Sequence, residues 1–320
     1  MHEVLQEIQN MGIIPVVKIE DPASALPLAQ ALKDGGLPCA EITFRTGAAK
    51  EAIQNIAAAH PDMLLGAGTV LSAAQADDAI AAGAKYIVSP GFNPAVVSHC
   101  VKKGIPIIPG CSTPSDMERA IEMGLEAVKF FPAGESGGVS YIKAVSAPFP
   151  MLKFIPTGGV SAENLNSYLA LNAVLACGGS WMVKAELINE GRFAEITALT
   201  KEALAVMLGF RLSHLGFNTA SEEEANTTAG LWEKLFNFPV RQGAKSIFAH
   251  PWFEHMKAPF LGERGHIAIG TLSINRAAAY LKRQGCSFRD ESATFNNKGE
   301  LAAIYLKDEI AGFAIHLKQI

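Results

Sequence analysis

The chain has 320 residues, 49% hydrophobic and only 18% charged, so it can bury a large core and is long enough for two domains. Lys and Arg (27) nearly balance Asp and Glu (31), and the net charge of −4 argues against binding nucleic acid or a membrane surface, which both favour a basic excess. The five cysteines, Cys39, Cys100, Cys111, Cys177 and Cys286, are scattered and form no C-x-x-C pair, so reduced core thiols are expected rather than a disulfide framework or thiolate zinc site.

Residues 1–12 read as an amphipathic helix with acidic residues, lacking the basic start and apolar core of a signal peptide. No apolar run reaches the length that spans a bilayer, and a cytoplasmic location is expected. Strand-like segments then recur at 13–19, 39–45, 64–70, 86–91, 106–112, 127–132, 153–159 and 174–180. Ala-rich helical stretches separate them, several ending in Gly as a C-cap. A last helix, 192–209, closes the set. Eight strands alternating with helices predict a parallel α/β fold. Most of these strands end in a polar or Gly-bearing loop, which favours a closed (β/α)8 TIM barrel over an open doubly wound sheet.

The second segment, CAEITFR, is the most informative. Alternation puts Glu41, Thr43 and Arg45 on one face and Ile42 and Phe44 on the other. If the apolar pair packs under the helices, the polar trio points into the barrel. Burying a carboxylate and a guanidinium is costly unless they pair or bind something. In the sixth segment, AVKFFP, Lys129 stands among apolar residues and shares its face with Ala127 and Phe131. A lysine there is desolvated, which favours the neutral amine that attacks a ketone. A barrel would bring Glu41 into the same lumen as a proton shuttle. The loops PTGGVSAEN and CGGSW, after the seventh and eighth segments, read as anion cradles, with Ser161 expected as a helix N-cap.

Together EITFRT, GAGTVL, SPGFNP, IPIIPGCSTPSD, KFFPA, PTGGVS and GGSW resemble, in order and spacing, the 2-keto-3-deoxy-6-phosphogluconate (KDPG) and 4-hydroxy-2-oxoglutarate (KHG) aldolase family, from about residue 5 to 207. The resemblance implies a class I aldolase that needs no cofactor. Lys129 would be the Schiff-base lysine and Glu41 the general acid/base. Arg45, Thr69, Thr157 and, less uniformly in the family, Lys18 would meet the substrate. Gly158, Gly159, Gly179 and Ser180 would hold a phosphate. It also implies a small keto-acid substrate and a homotrimer. The family's KFFPAEANGG run reads KFFPAGESGG here, a loop change past the lysine.

After residue 209 the chain restarts. HLGFNT (214–219) and HIAIGT (266–271) match, and each is followed by an amphipathic helix and strand-like segments: 240–250 and 252–257 in the first copy, 287–292, 301–308 and 312–319 in the second. Residues 210–320 are therefore expected to form a small α+β domain of two βαβββ repeats. The pattern resembles the vicinal-oxygen-chelate (glyoxalase-like) fold. The resemblance implies a possible divalent metal held by His214, His266 and His316, with Glu254 or His255 completing the set and Glu254 favoured. The rival readings are a sugar-acid binding module built on a barrel remnant, and a bifunctional enzyme whose second domain acts on a related keto acid or lactone. Intact Lys129, Glu41 and Arg45 speak against a remnant.

Overall fold

All eight segments of the first 210 residues are strands. The computed structural model describes all 320 residues, in two units, Met1–Met207 and Leu208–Ile320. In the first unit the strands are β1 (Ile13–Val17), β2 (Cys39–Thr43), β3 (Leu64–Gly68), β4 (Tyr86–Ser89), β5 (Ile107–Pro109), β6 (Ala127–Phe130), β7 (Lys153–Pro156) and β8 (Cys177–Gly179). Six run in the order β5-β4-β3-β2-β1-β8, and β6 pairs with β7, all parallel. Single bridges join the two sets, Gly110 to Lys129 on one side and Thr157 to Gly178 on the other. The sheet thus closes on itself, as the strand count and loop chemistry predict.

Local chemistry fixes the helices around it. The helix Pro114–Glu122 opens on a capping box in which Thr113 and Asp116 each bond the other's backbone N–H. Asn93 caps Pro94–Lys102, and Ser72 caps Ala73–Ala82, which ends on the left-handed Gly83. One expectation fails here. Ser161 does not cap a helix: the helical segment is only Leu165–Leu169, and Asn164 precedes it. Asn164 instead ties the loop together, accepting from the Ser161 N–H (2.9 Å) and donating to the Gly159 carbonyl (2.8 Å). The loop after β7 is therefore a closed turn rather than a helix start.

The second unit holds β9 (Arg211–Asn218), β10 (Val240–Gln242), β11 (Ser246–Ala249), β12 (Phe253–Met256), β13 (His266–Thr271), β14 (Phe288–Phe295), β15 (Leu301–Ile310) and β16 (Phe313–Gln319). Helices Glu222–Phe236 and Ile274–Arg283 follow β9 and β13, giving two βαβββ copies. Segment 240–250, expected as one strand-like run, is a hairpin turned at Gly243, whose N–H bonds the Ser246 carbonyl. All eight strands form one sheet, ordered β10-β11-β12-β9-β13-β16-β15-β14, with the two copies meeting at antiparallel β9 and β13. One face is covered by helix Glu222–Phe236, where Trp232 stacks on Phe253 at 4.1 Å between centroids. His214, His266 and His316 stand on the other face. No helix of the chain is long and apolar enough to cross a membrane.

Candidate active site

Strands β2 and β6 are separated by 88 residues in sequence yet bring Glu41 and Lys129 together inside the barrel, Nζ to Oε1 at 3.1 Å. Both are almost fully buried, at 4% and 6% exposure, so the pair is made away from bulk water. Gly68 on β3 makes room for it: a Cβ there would stand 2.2 Å from Glu41 Oε1. Lys129 Nζ also lies 5.7 Å from the Phe131 ring centroid, as their shared strand face predicts.

Thr43 is buried and donates to the Val17 carbonyl at 2.8 Å. Arg45 lies past the end of β2, where its Nε donates to Thr69 Oγ1 at 3.2 Å. Thr69 itself adopts φ +57°, a strained conformation for a β-branched residue. A cavity of about 420 Å³ opens at the C-terminal ends of β1, β2, β7 and β8. Among its walls are Lys18, Arg45, Thr157, Gly158, Gly159, Gly179 and Ser180. Lys18, Arg45 and Thr157 thus share one wall system with the phosphate candidates, whereas Thr69 does not line it and Glu41 and Lys129 line a smaller cavity deeper in the barrel with Ile14, Tyr86 and Ile155. Gly158 and Gly159 both take left-handed φ, 85° and 75°, which fits them for a tight backbone cradle. Gly178 is needed for Thr157, whose Oγ1 would be 2.4 Å from a Cβ there. Lys18 is engaged in an exposed ion pair with Glu20 at 2.7 Å.

Among the cavity residues that sequence reading missed are Phe131 as a wall, and Lys184 and Glu186 beyond the GGSW loop. The lone basic residue four positions past Ser180 was the available signal for Lys184.

The second unit gathers the other predicted group. His214 Nε2 and His266 Nε2 lie 3.0 and 3.1 Å from Glu254 Oε2 and 3.2 Å from each other. His316 completes a buried three-histidine cluster whose ligand atoms all lie within 4.8 Å. Its Nδ1 faces the Leu317 carbonyl at 3.3 Å, and its buried Nε2 has no protein partner. Glu254, not His255, joins the cluster. Gly216 pairs with Glu254 as Ala268 pairs with His316, so the two donors hold equivalent places in the repeats. His255 points to the helix side, with Nδ1 3.0 Å from Thr228 Oγ1.

Burial works to raise the Glu254 carboxyl, but hydrogen bonds with His214, His266 and Ser246 outweigh it and hold the group well below the usual carboxylate range. Burial, with His266 and His214 nearby, pushes His316 down to about 3, so it is neutral near pH 7. Three donors at about 2.1 Å from one ion and at right angles lie about 3.0 Å apart, against about 3.4 Å for tetrahedral ligands. The observed separations of 3.0–3.2 Å fall between these values and bring the three donors close enough to share one ion.

Comparison with known proteins addresses the first unit. The family model "KDPG and KHG aldolase" matches residues 4–199. A 2-dehydro-3-deoxy-phosphogluconate aldolase of Treponema pallidum is 48% identical over 207 residues, which is 65% of this chain and 99% of that protein. A KHG/KDPG aldolase of Escherichia coli K12 is 41% identical, over 60% of this chain and 90% of its own length. A crystal structure of Legionella pneumophila KDPG aldolase, with pyruvate captured as a covalent carbinolamine, superposes with a TM-score of 0.61 at 39% identity. That match covers 62% of this chain and 97% of the solved one.

Proposed function

Through residues 4–199 the chain belongs to the KDPG and KHG aldolase family and is an aldehyde-lyase, and from this premise we propose that it is a Schiff-base enzyme in which Lys129 is the nucleophile and Glu41 the proton shuttle. The 3.1 Å contact between two buried, oppositely charged side chains carries the reading. It lets Glu41 take a proton from Lys129, freeing the amine. The amine adds to the C2 ketone of KDPG, forming a carbinolamine; Glu41 returns its proton to the C2 hydroxyl, which leaves as water, giving an iminium and restoring the Glu41 carboxylate. Glu41 removes the C4 hydroxyl proton, the C3–C4 bond breaks and its electrons pass into the iminium. Glyceraldehyde 3-phosphate leaves, the enamine is protonated at C3, and water releases pyruvate. The carbinolamine trapped in the Legionella enzyme supports this route.

Arg45 and Thr69, joined by their hydrogen bond, would receive the carboxylate end with Thr157, and Lys18 would assist at the rim. Gly158, Gly159, Gly179 and Ser180 would hold the phosphate through backbone N–H groups and the Ser180 hydroxyl. With the helix after β7 starting only at Leu165, the loop amides and the Ser180 hydroxyl would carry that role. KHG, cleaved to pyruvate and glyoxylate, is the expected second substrate. The proposed assembly is a cytoplasmic homotrimer, checked by light scattering and cell fractionation. The mechanism is tested by borohydride reduction with pyruvate, expected to place one adduct on Lys129. Full aldolase activity in Lys129→Ala would overturn it.

The proposal extends to Leu208–Ile320 as a vicinal-oxygen-chelate domain in which His214, Glu254, His266 and His316 would hold a divalent metal. The convergence of these donors and the unpartnered Nε2 of His316 favour it. A bound ion would act as a Lewis acid. Elemental analysis should find about one divalent ion per chain, reduced in His266→Ala. A metal-free folded chain ends this part without touching the aldolase.

A further inference from the structure

Directly paired residues on neighbouring strands project to the same face. In the first repeat, Arg241 pairs with Phe248, Phe248 with Glu254, Glu254 with Gly216, and Gly216 with His266. In the second, Arg289 pairs with Tyr305, Tyr305 with His316, His316 with Ala268, and Ala268 with His214. Each row reads arginine, aromatic, donor, small residue, histidine. The rows run from opposite edges of one sheet, so the two arginines flank the donor cluster from both sides.

The side chains keep this order in space. The Arg241 guanidinium lies 5.4 Å from the Phe248 ring centroid, and Phe248 meets His214 edge-on at 5.5 Å. Tyr305 stacks on His316 at 4.6 Å. Gly216 gives His266 its place, since a Cβ there would stand 2.0 Å from the ring. Arg289 donates one N–H to the Lys307 carbonyl at 3.1 Å. Neither guanidinium forms an ion pair with a carboxylate. Guanidinium groups without a carboxylate partner, one of them lying over an aromatic ring, are suited to bind carboxylate or phosphate.

We infer that this face binds a short-chain 2-oxo acid carrying a second anionic group. The inference rests on the metal reading above, because the oxo-acid end would meet the ion. The distal anion would meet Arg241 or Arg289, each two strands from the nearest donor, about 10 Å between strand axes, a gap that the Arg241 side chain shortens by lying over Phe248 on β11. A five-carbon dicarboxylate spans such a gap, whereas a monocarboxylate leaves the arginines unpaired. The ligand class is the one proposed for the barrel: a 2-oxo acid with an anion at its far end.

The test uses the full chain loaded with Co²⁺, whose visible absorption reports the second unit alone. 2-Oxoglutarate lacks the C4 hydroxyl that aldol cleavage needs, and 2-oxobutanoate lacks the distal carboxylate. We expect 2-oxoglutarate to perturb the Co²⁺ band with a dissociation constant at least about ten-fold lower than 2-oxobutanoate. In Arg241→Ala/Arg289→Ala the two acids should bind within about three-fold of each other, at unchanged Co²⁺ stoichiometry. A chain that takes up no Co²⁺ overturns the metal reading and this inference with it. A Co²⁺-loaded chain that binds both acids equally, or keeps its preference in the double variant, overturns this inference alone.

Discussion

Gly68→Ala is a mutation outside the catalytic pair that should act on it directly. The new methyl carbon would stand 2.2 Å from Glu41 Oε1 and 2.8 Å from both Glu41 Cγ and Cδ, where ordinary contacts begin at 3.4 Å. The whole carboxyl must swing away by about 1 Å or more, and with it the 3.1 Å contact to Lys129. A misplacement of that size costs a rate factor on the order of 10², or about 2.7 kcal/mol of transition-state stabilisation. Overpacking adds a stability loss of about 1–3 kcal/mol, which thermal melting would record separately. The assay is initial-rate pyruvate release from KDPG at saturation. We expect kcat about 100-fold below wild type in a folded protein that still gives a borohydride adduct with pyruvate. A folded Gly68→Ala enzyme with wild-type kcat would refute the claim that the position of Glu41 against Lys129 sets the rate.

Glu41→Gln should lower kcat by about 10²–10⁴-fold, since the amide cannot take the C4 hydroxyl proton; steady-state kinetics checks it. Arg45→Ala should raise KM by about ten-fold or more through loss of a charged hydrogen bond, and Arg45→Lys should not restore it, because the contact to Thr69 comes from the guanidinium Nε. Ser180→Asp, which puts a carboxylate on the cavity wall, should raise KM for KDPG more than for KHG, because the phosphate dianion is repelled more strongly. Burial, reinforced by acidic neighbours, pushes the Cys100 thiol up to about 11 and the Cys111 thiol up to about 12, so both stay protonated to pH 9. Cys39 and Cys177 are also buried. A disulfide reagent at pH 8 should therefore titrate only the partly exposed Cys286 in the native chain and all five thiols in denaturant.

What the amino-acid sequence determined by itself is whatever short-range periodicity encodes. Period-2 alternation assigned Glu41 and Lys129 to the strand faces where they are found, because a strand leaves each side chain only two directions. The eight-fold recurrence of strand and helix gave the barrel, and the repeat of HLGFNT as HIAIGT gave the second unit's two βαβββ copies. Capping chemistry was less dependable. Ser161 has the residue type of an N-cap, but its hydroxyl bonds the Glu163 carboxylate instead of a helix N–H and the helix begins later, since neighbouring side chains compete with the backbone for a serine hydroxyl.

Tertiary structure decided the rest, because pairing between distant strands has no local signature. Closure depends on bridges such as Thr157 to Gly178, and the choice of Glu254 over His255 depends on the register of β12 against β9. One position of slip would exchange the two faces and send Glu254 to the helix. The Arg241 and Arg289 rows were invisible for the same reason: Arg241 is 25 residues from its row's last member, His266, while Arg289 is 75 from His214. Lys129 stands alone in its sequence neighbourhood, and its meaning comes from a carboxylate 88 residues away, which only a closed sheet could bring to 3.1 Å.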